Sequence, residues 1–558
     1  MRVLVLSTRL TERRRRALAG LTGDSVDVLV AAAGDPHPDL AGFDAVVLDG
    51  LLPVRARSEI DALRAAVERG ASLVALGAAP GEADSALSAL LGAVARPGPP
   101  PGEYYAKVTG SASPLTARMP TEFAVVDHFT PLEPLGRGAV LVEVRVAYRD
   151  LPAVVEGLLG AGRVVVCGLG NTDEGLACPE LVRLLRRAFR RASALAGSER
   201  PVGIGVVGYG LLGGMGYHHG LAVRETAGLE LVAVVDPDLD RRKAAEADFP
   251  GVRAYPALDD LIADEDVEVA FVSTPPRSHA ELGLALLGGG KHVACEKPLC
   301  LTLADADRLI AAAAAHDRVL TVHQNRRWDA DFVAIRRAVR SGLLGQLFNV
   351  ETFVGGFAHP CRTWHSEVSV SGGAVYDWGS HHIDWILELL GDVPAVVQSH
   401  GHKRVWHDVT NLDQLRVRLT WADGREAEFF QSDVAGIRRP KFYVQGTAGT
   451  LVGHYRELTF ERVEPGRGYV AEPAHHAEAP AELRFARYES GYGLIETRLP
   501  PAPETPFAFH RNLADHLQLG EPLAVTPESV RRVVAVLEAA RESGDRGGLP
   551  LVPGHRGA

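Results

Sequence analysis

The sequence predicts an α/β protein, and three observations lead to this prediction. Residues 1–195 alternate short apolar runs with helical patterns, and a second series of the same kind starts near Pro201. From about Phe348 the pattern changes to strands in which polar and apolar residues alternate. Strands alternating with helices indicate a parallel sheet covered on both faces, whereas period-two alternation indicates an antiparallel or mixed sheet with one exposed face. A chain of 558 residues is also too long for one hydrophobic core.

The first series predicts an N-terminal, flavodoxin-like α/β domain over residues 1–196. RVLVLS, DAVVLDG and ASLVALG are short apolar runs, and SEIDALRAAVERG has helical periodicity with a glycine stop. GRVVVCGLG (162–170) is the last predicted strand, and a helical segment follows it. The small, polar link AGSERP (196–201) ends in proline and marks a domain boundary.

The second series predicts two further domains, at 201–325 and 326–558. VGIGVVGYG, LELVAVVDPD and VEVAFVSTPP predict the first strands, and KHVACEKP and VLTVHQNRR continue the set. Residues 326–558 predict an α+β domain with a large open mixed or antiparallel sheet, in which residues 463–506 form a long surface excursion. An open sheet over 348–460 can pair with a copy of itself, so we expect a homo-oligomer, either a dimer or a tetramer.

Charge and composition exclude several functions. The net charge of −11 gives no support for binding nucleic acid or an anionic membrane, and the one basic run, at 13–16, is interpreted as the solvated face of a helix. The five cysteines fit neither a disulfide framework nor a zinc site. With no apolar run of about 18 residues and no signal-peptide pattern, the sequence predicts a cytoplasmic protein.

The strand GIGVV runs into a glycine-rich motif. Gly208-Tyr209-Gly210-Leu211-Leu212-Gly213 matches GxGxxG and opens a helix, which is the context that a dinucleotide-binding loop requires. The first glycine permits a tight turn, the second lets the backbone approach a pyrophosphate, and the third allows the helix to pack closely on the strand. We therefore expect these six residues to bind a dinucleotide, with its phosphates at the helix N-terminus.

The next strand ends at Asp236, 23 residues after Gly213. An acidic side chain at this place accepts hydrogen bonds from the adenosine ribose and repels a 2′-phosphate. The sequence therefore predicts NAD rather than NADP, although Arg241 and Arg242 leave NADP open.

Thr274 and Pro275 end the third strand of this series. The carboxyl ends of parallel strands are where ligands bind in such sheets, so both residues are predicted to contact the cofactor. His279 follows and is expected to cap the next helix, to pack on the cofactor or to take part in chemistry. These three alternatives stay open from the sequence.

Glu296-Lys297-Pro298 ends the fourth strand, on the same edge as the glycine loop. An ammonium at this edge can hydrogen-bond a substrate hydroxyl and stabilise the developing alkoxide, which predicts a catalytic role for Lys297. Glu296 is expected to bond the nicotinamide ribose or to orient Lys297, and Pro298 fixes the chain as it leaves the strand.

The segment SGGAVYDWGSHHIDWILELLG places Asp377, His381 and Asp384 at i, i+4 and i+7. On one helix these residues share a face. A carboxylate one turn from an imidazole can fix its tautomer, so we expect Asp377 to orient His381 as a general base that also contacts the substrate.

Two weaker clusters are candidates for substrate binding. HQNRRWD contributes Asn325 and Arg326, which suit hydroxyl or carboxylate recognition, and HPCRTWH contributes Trp364 and His365, where an aromatic face can stack on a sugar. Each cluster fits loop or domain-contact residues equally well. Neither cluster contains a closed ligand set, so no metal site is expected.

With GYGLLG, VVDPD, STPPRSHAE, GKHVACEKP and SGGAVYDWGSHHID in this order, residues 201–558 resemble the Gfo/Idh/MocA family of oxidoreductases. The resemblance implies an NAD(P)-dependent dehydrogenase that acts on sugars or cyclic polyols. It also implies that the lysine of EKP and the Asp/His pair are catalytic, which correspond to Lys297, Asp377 and His381.

The first 195 residues resemble the ThuA family, a glutamine-amidotransferase-like fold, through SPLTARMPTEFAVVDHF and GAGRVVVCGLGNTDEGLACPELVRLLRRAFRRA. They depart from its pattern: Asn171 replaces a histidine, His128 replaces the acid after Asp127, and the early Gly- and His-containing motif is missing. No Ser or Cys nucleophile elbow is visible. We therefore expect a catalytically degenerate domain.

Three functions follow from these patterns. The first is reversible hydride transfer between NAD, or NADP, and a hydroxyl of a carbohydrate or cyclitol. The second is redox-neutral cleavage of a glycoside, in which oxidation, elimination and re-reduction leave the cofactor unchanged. The third is a non-enzymatic, NAD-bound sensor, which the intact Lys297, Asp377 and His381 set disfavours.

Overall fold

A computed structural model shows that the chain forms two compact units. One comprises Met1–Pro201 with Asn512–Pro522, and the other comprises Val202–Arg511 with Leu523–Ala558. The residues that the structure describes are 2–7, 11–21, 27–32, 39–50, 57–77, 85–109, 113–136, 138–195, 200–210, 214–456, 458–464, 468–474 and 479–554. In this described part of the chain, no helix has the length and apolar character needed to cross a bilayer.

The first unit is built on a nine-stranded sheet in the order β2-β1-β3-β4-β11-β10-β9-β6-β7, and β5 pairs with β8. Its strands are β1 (Arg2–Ser7), β2 (Asp27–Ala32), β3 (Ala45–Asp49), β4 (Ser72–Leu76), β5 (Ala93–Ala95), β6 (Gly102–Val108), β7 (Glu122–Asp127), β8 (Leu132–Pro134), β9 (Ala139–Val146), β10 (Arg149–Leu159) and β11 (Gly162–Cys167). Its helices are α1 (Glu12–Gly20), α2 (Arg57–Glu68), α3 (Ala86–Leu91) and α4 (Pro179–Ala188).

The sheet of the first unit has a parallel and an antiparallel half. β1 to β4 and β11 pair in parallel, whereas β10, β9, β6 and β7 continue the sheet antiparallel. Every residue of β3 is buried, and its side chains alternate between two cores: Val47 packs in one and Val46 in the other. Burial on both faces explains why these strands appear as continuous apolar runs in the sequence. The antiparallel half was not predicted.

The basic run at 13–16 is only partly a solvated face, so that interpretation needs correction. Arg13, Arg15 and Arg16 are exposed, but Arg14 is buried. Its guanidinium donates to Asp49 Oδ1 over 2.5 Å and to the carbonyl oxygen of Gly170 over 2.7 Å. Arg14 therefore links α1 to the carboxyl ends of β3 and β11.

The second unit begins with a parallel six-stranded sheet in the order β14-β13-β12-β15-β16-β17. The strands are β12 (Val202–Val207), β13 (Leu229–Val235), β14 (Arg253–Tyr255), β15 (Val269–Val272), β16 (His292–Cys295) and β17 (Leu320–Val322). The helices are α5 (Met215–Arg224), α6 (Leu239–Asp248), α7 (Leu258–Ala263), α8 (His279–Gly288) and α9 (Leu303–Ala315). This order is that of a dinucleotide-binding Rossmann fold, as the sequence predicts.

The same unit contains an eight-stranded sheet in the order β19-β20-β21-β18-β22-β23-β26-β27 and a separate hairpin, β24-β25. The strands are β18 (Leu347–Gly355), β19 (Val396–His402), β20 (Gln414–Thr420), β21 (Glu426–Ser432), β22 (Phe442–Gly446), β23 (Gly449–His454), β24 (Leu458–Glu464), β25 (Gly468–Ala474), β26 (Glu482–Glu489) and β27 (Gly493–Leu499). The helices are α10 (Ala330–Arg340), α11 (Val368–Ser371), α12 (Ala374–Asp377), α13 (Gly379–Leu390), α14 (Ala508–Leu519), which continues into the first unit, and α15 (Pro527–Asp545).

The eight-stranded sheet is mixed, which confirms the predicted fold class. β18 pairs in parallel with β21, and the other pairs are antiparallel. The prediction that residues 463–506 form a long surface excursion is wrong in part, because β26 and β27 add two strands to this sheet within residues 482–499. These two strands contain many polar residues, so their sequence alone resembles that of a loop, and only the pairing with a neighbouring strand identifies them.

A buried ion pair links the segment after β17, the last strand of the six-stranded sheet, to helix α13. The Arg327 guanidinium donates to both oxygens of Asp384 over 2.8 and 2.6 Å, and only 3% and 2% of the two side chains are exposed. Asp384 is therefore a structural residue of α13.

His382 predicts a pH dependence of stability. Its buried ring packs against Trp385 and Phe429, and burial, reinforced by the charge of Lys441, lowers its pKa well below the usual value. Below pH ~6.5 the unfolded chain binds a proton that the folded chain does not. The free energy of unfolding therefore decreases as the solution is made more acidic, by up to about 1.4 kcal/mol for each pH unit. We expect His382→Phe to flatten this fall between about pH 6.5 and 5.

Urea unfolding at several pH values, followed by tryptophan fluorescence, measures the effect. His316→Phe is the control, because the His316 ring is exposed. A slope that His382→Phe leaves unchanged would contradict the prediction.

Candidate active site

The predicted site residues gather at the carboxyl edge of the six-stranded sheet. The loops after β12, β13, β15, β16 and β17 carry Gly208, Asp236, Thr274, Lys297 and Asn325 in turn. Leu211, Leu212 and Gly213 lie outside the described residues.

The glycine loop has the backbone that its sequence predicts. Gly208 and Gly210 have φ of +89° and +79°, a region that side-chain-bearing residues rarely adopt. A Cβ on Gly208 would also lie 2.7 Å from Cγ2 of Thr274. Gly216 in α5 was not among the predicted residues, although a Cβ there would lie 2.4 Å from the Gly208 carbonyl oxygen. Its position, one turn beyond the motif, is the signal that could have identified it.

Asp236 is buried and holds the glycine loop. Its Oδ2 accepts hydrogen bonds from the backbone N–H of Tyr209 over 3.0 Å and of Gly210 over 3.4 Å, and Oδ1 accepts from the N–H of Asp238. Arg241 approaches Oδ2 at 3.7 Å. A contact of Asp236 with ribose therefore stays a prediction, and the structure adds a role in fixing the turn.

The Tyr209 side chain is directed into the protein interior. It is buried, and its hydroxyl donates to Asp248 Oδ2 over 2.5 Å. Burial and this contact raise the pKa of the phenol. Tyr209 can therefore serve a cofactor through its backbone alone.

His279 joins two loops of the site. Its Nδ1 lies 2.8 Å from the carbonyl oxygen of Pro298, and its Nε2 lies 2.6 Å from that of Thr274. The ring is buried, which lowers its pKa. With both nitrogens directed at backbone oxygens, His279 is a positioning residue for the loops at Pro275 and Pro298.

Lys297 and Asp377 form the centre of the site. The Lys297 ammonium donates to Asp377 Oδ1 over 2.8 Å, and the two side chains are 21% and 28% exposed. Burial favours the neutral acid, but the charge and hydrogen bond of Lys297 outweigh it and lower the pKa of Asp377. The ionised carboxylate therefore fixes the ammonium at the edge of the sheet.

Glu296 faces away from this pair. Its Oε2 accepts from the backbone N–H of Lys297, and its Oε1 lies 3.0 Å from His219 Nε2 and 2.7 Å from His323 Nδ1. Burial opposes ionisation, but the charge of His323 and the hydrogen bond of His219 lower the pKa of Glu296 well below its usual value. Of the two predicted roles, the structure favours orientation of Lys297 through its backbone.

The expected pairing of Asp377 with His381 is wrong. α12 ends at Asp377 and α13 begins at Gly379, but Trp378 between them keeps helical φ and ψ of −73° and −32°, so the helical spacing of Asp377 and His381 does not join their side chains. Asp377 bonds Lys297 instead, and Asp384 bonds Arg327. The i, i+4 spacing suggested His381 as the partner of Asp377 because the ammonium of Lys297 comes from a loop 80 positions away.

His381 nevertheless lies beside the lysine. It is 5% exposed, and among the described residues its Nδ1 has no hydrogen-bond partner. Burial lowers its pKa well below the usual value, and the charges of Lys297 and Arg326 lower it further. His381 is therefore a neutral imidazole beside the ammonium.

The four candidate substrate residues differ in their surroundings. Arg326 is buried, with its guanidinium 4.9 Å from the centre of the Trp378 ring, whereas Asn325 is exposed. Trp364 and His365 are exposed and stack with ring centres 3.7 Å apart. Partial desolvation lowers the pKa of His365, the charge of Asp377 raises it and that of Lys297 lowers it, so His365 lies within electrostatic reach of this pair.

In the first unit, Asp127 closes the loop after β11. Its carboxylate accepts hydrogen bonds from the backbone N–H of Gly170, Asn171 and Thr172. Burial raises the pKa of Cys167 to about 12 and of Cys178 to about 11, so neither thiol is an activated nucleophile.

Three family models match the chain. The model of an oxidoreductase family with an NAD-binding Rossmann fold, GFO/IDH/MocA, matches residues 202–324, and that of the GFO/IDH/MocA C-terminal domain matches residues 332–452. The ThuA model, described as trehalose utilisation, matches residues 8–192. These matches confirm both resemblances.

Individual relatives and a solved structure are consistent with the family matches. The scyllo-inositol 2-dehydrogenase (NADP(+)) of Bacillus subtilis is 24% identical over 61% of this chain and 93% of its own length. The 1,5-anhydro-D-fructose reductase of Ensifer adhaerens is 29% identical over 42% of this chain and 70% of its own. The crystal structure of an NAD-binding protein from Listeria innocua is 27% identical, with a TM-score of 0.54, and the match covers 63% of this chain and 97% of that chain. The chain therefore belongs to the GFO/IDH/MocA oxidoreductase family through residues 202–324 and 332–452, and its residues 8–192 form a ThuA domain.

Proposed function

We propose that the protein transfers a hydride between a nicotinamide cofactor and a hydroxyl or keto carbon of a sugar, a glycoside or a cyclitol. The observation that carries this proposal is the Lys297 ammonium, held by Asp377 at the carboxyl edge of the Rossmann sheet. The relatives named for inositol and anhydrofructose support the substrate class.

The residues present fit a dinucleotide. The positive φ of Gly208 and Gly210 keeps the loop free of side chains, and a Cβ at Gly208 would meet Thr274. Such a loop lets backbone N–H groups reach a pyrophosphate. When bound, the nicotinamide ring supplies the acceptor or donor of the hydride.

Lys297 and His381 share the proton chemistry. In the oxidation direction the hydroxyl proton must leave as its carbon loses the hydride. His381 has a lone pair to accept that proton, and Lys297 stabilises the charge on the oxygen. Asp377 is a positioning residue, because it holds the ammonium rather than the imidazole.

Asp236 favours NAD. A buried carboxylate beside the loop would repel a 2′-phosphate, so we expect kcat/KM for NAD to exceed that for NADP by about tenfold, which corresponds to ~1.4 kcal/mol. Asp236→Asn should bring the two values closer, because it removes the charge and keeps one acceptor for the loop. A variant with an unchanged ratio would show that Asp236 acts only on the turn.

The proposed function is tested by the absorbance of reduced nicotinamide. The full-length protein is mixed with NAD or NADP and with sugars, glycosides or inositols, and the products are separated by chromatography. A rising signal supports hydride transfer. A flat signal with cleaved glycoside would instead establish the redox-neutral reaction, which the ThuA domain favours through its association with trehalose. A flat signal with no product on the whole panel would contradict both.

A further inference from the structure

A buried cluster of three histidines lies behind the Glu296 carboxylate. His219 comes from α5, His323 follows β17 and His510 lies in the first turn of α14. All three are buried, and one nitrogen of each ring lies within 4.8 Å of a nitrogen of each other ring. We propose that His219, His323 and His510 bind a divalent transition-metal ion, with Zn²⁺ as the best match.

Glu296 orients two of the three rings. A buried ionised carboxylate accepts the Nε2–H of His219 and the Nδ1–H of His323. In the neutral form of either ring, the other nitrogen carries a lone pair that can bind a metal. In zinc proteins, a histidine that binds the metal through one nitrogen usually donates its other N–H to a carboxylate, a backbone carbonyl or water.

His510 supplies the third donor. Its Nε2 lies 3.0 Å from Nδ1 of His219, a hydrogen-bond distance that is also near the separation of two ligands on one small cation. The ring is only 3% exposed, so this nitrogen is shielded from bulk water.

The cluster also has an entrance and room for a further ligand. A cavity of about 650 Å³ is lined by the three histidines and by Met215, Trp328 and Glu504. Water from this cavity can complete a tetrahedral site, as at zinc centres with three protein ligands.

The site is tested on the full-length protein. Protein stripped with a chelator is loaded with Zn²⁺ or Co²⁺ and desalted, and the bound metal is measured by atomic emission. We expect one ion per chain, tetrahedral Co²⁺ bands in the visible spectrum and a melting temperature that rises with Zn²⁺. These readouts do not depend on hydride transfer, so failure of the proposed function would leave them unaffected.

His510→Phe is the informative variant, because a phenyl ring keeps the stacking on Phe271, where the rings lie 5.1 Å apart. It should weaken metal binding at least about tenfold. His218→Gln is the matched control, since the exposed His218 neighbours His219 and lines the same cavity. Circular dichroism checks that both variants fold.

Three results would overturn the site. The first is wild-type protein that retains no metal. The second is binding that His510→Phe leaves unchanged. The third is a cobalt spectrum with a thiolate band that disappears in Cys361→Ser, because Cys361 is exposed and would hold the ion adventitiously. The first and third results are measured on the wild-type protein and on Cys361→Ser, so these two tests remain valid even if His510→Phe does not fold.

Discussion

Lys297→Met is expected to lower kcat/KM for hydride transfer by about 10²–10³-fold, the usual cost of removing one donor that stabilises a developing oxyanion. Met preserves the length and the apolar stem of the side chain and removes only the ammonium. Cofactor affinity should change little, because the glycine loop and Asp236 are elsewhere on the edge. Steady-state kinetics and a fluorescence titration of the cofactor measure the two effects separately.

Lys243→Met is the control, because Lys243 is an exposed lysine of α6. It should retain wild-type kinetics. If Lys297→Met kept more than about a tenth of wild-type kcat/KM, oxyanion stabilisation by this ammonium would be wrong.

Asp384→Ala is expected to lower the free energy of unfolding of the second unit by about 3 kcal/mol, because it leaves the buried Arg327 guanidinium without its bidentate partner. All six tryptophans lie between Trp328 and Trp421, so tryptophan fluorescence during urea unfolding reports on this unit alone.

An exposed pair of similar geometry provides the control. Arg531 donates to both carboxylate oxygens of Asp307, but the two side chains are 43% and 50% exposed. Asp307→Ala should therefore cost less than about 1 kcal/mol. Equal losses in the two variants would contradict the argument from burial. The double variant Arg327→Met with Asp384→Leu should recover most of the loss, since both buried charges are removed and Glu388, which also pairs with Arg327, keeps Arg336 as a partner at 3.8 Å.

The sequence predicts the parts of the site that depend on local patterns. Gly208, Asp236, Thr274 and Lys297 follow the four neighbouring strands β12, β13, β15 and β16 of one parallel sheet, and such ends must meet at one edge. Alternation of strand and helix signals was enough to place them.

Long-range pairings could not be predicted in this way. Lys297 and Asp377 are 80 positions apart, and the i, i+4 spacing of Asp377 and His381 suggested a nearer partner. That spacing places two side chains near each other but does not decide which partner a carboxylate takes, and Asp377 takes the ammonium of Lys297 from another loop.

The histidine cluster was missed for the same reason. His219 and His510 are 291 positions apart, and neither belongs to a ligand motif with short spacing. Strands β26 and β27 were missed because their alternation is polar, and only their pairing with β23 makes them recognisable.

The central position of β18 has a consequence for how the chain acquires its structure. β18 precedes both of its neighbours in the chain, yet it pairs with β21 in parallel and with β22 antiparallel. Its register joins Asn349 to Glu426, so a long intervening segment must be ordered before the first hydrogen bond of this pair forms. Pairings of such large sequence separation carry a high loop-closure cost and slow folding. During synthesis, β18 therefore leaves the ribosome with both edges unpaired, and it waits for the residues up to Gly446 before the middle of the sheet can close.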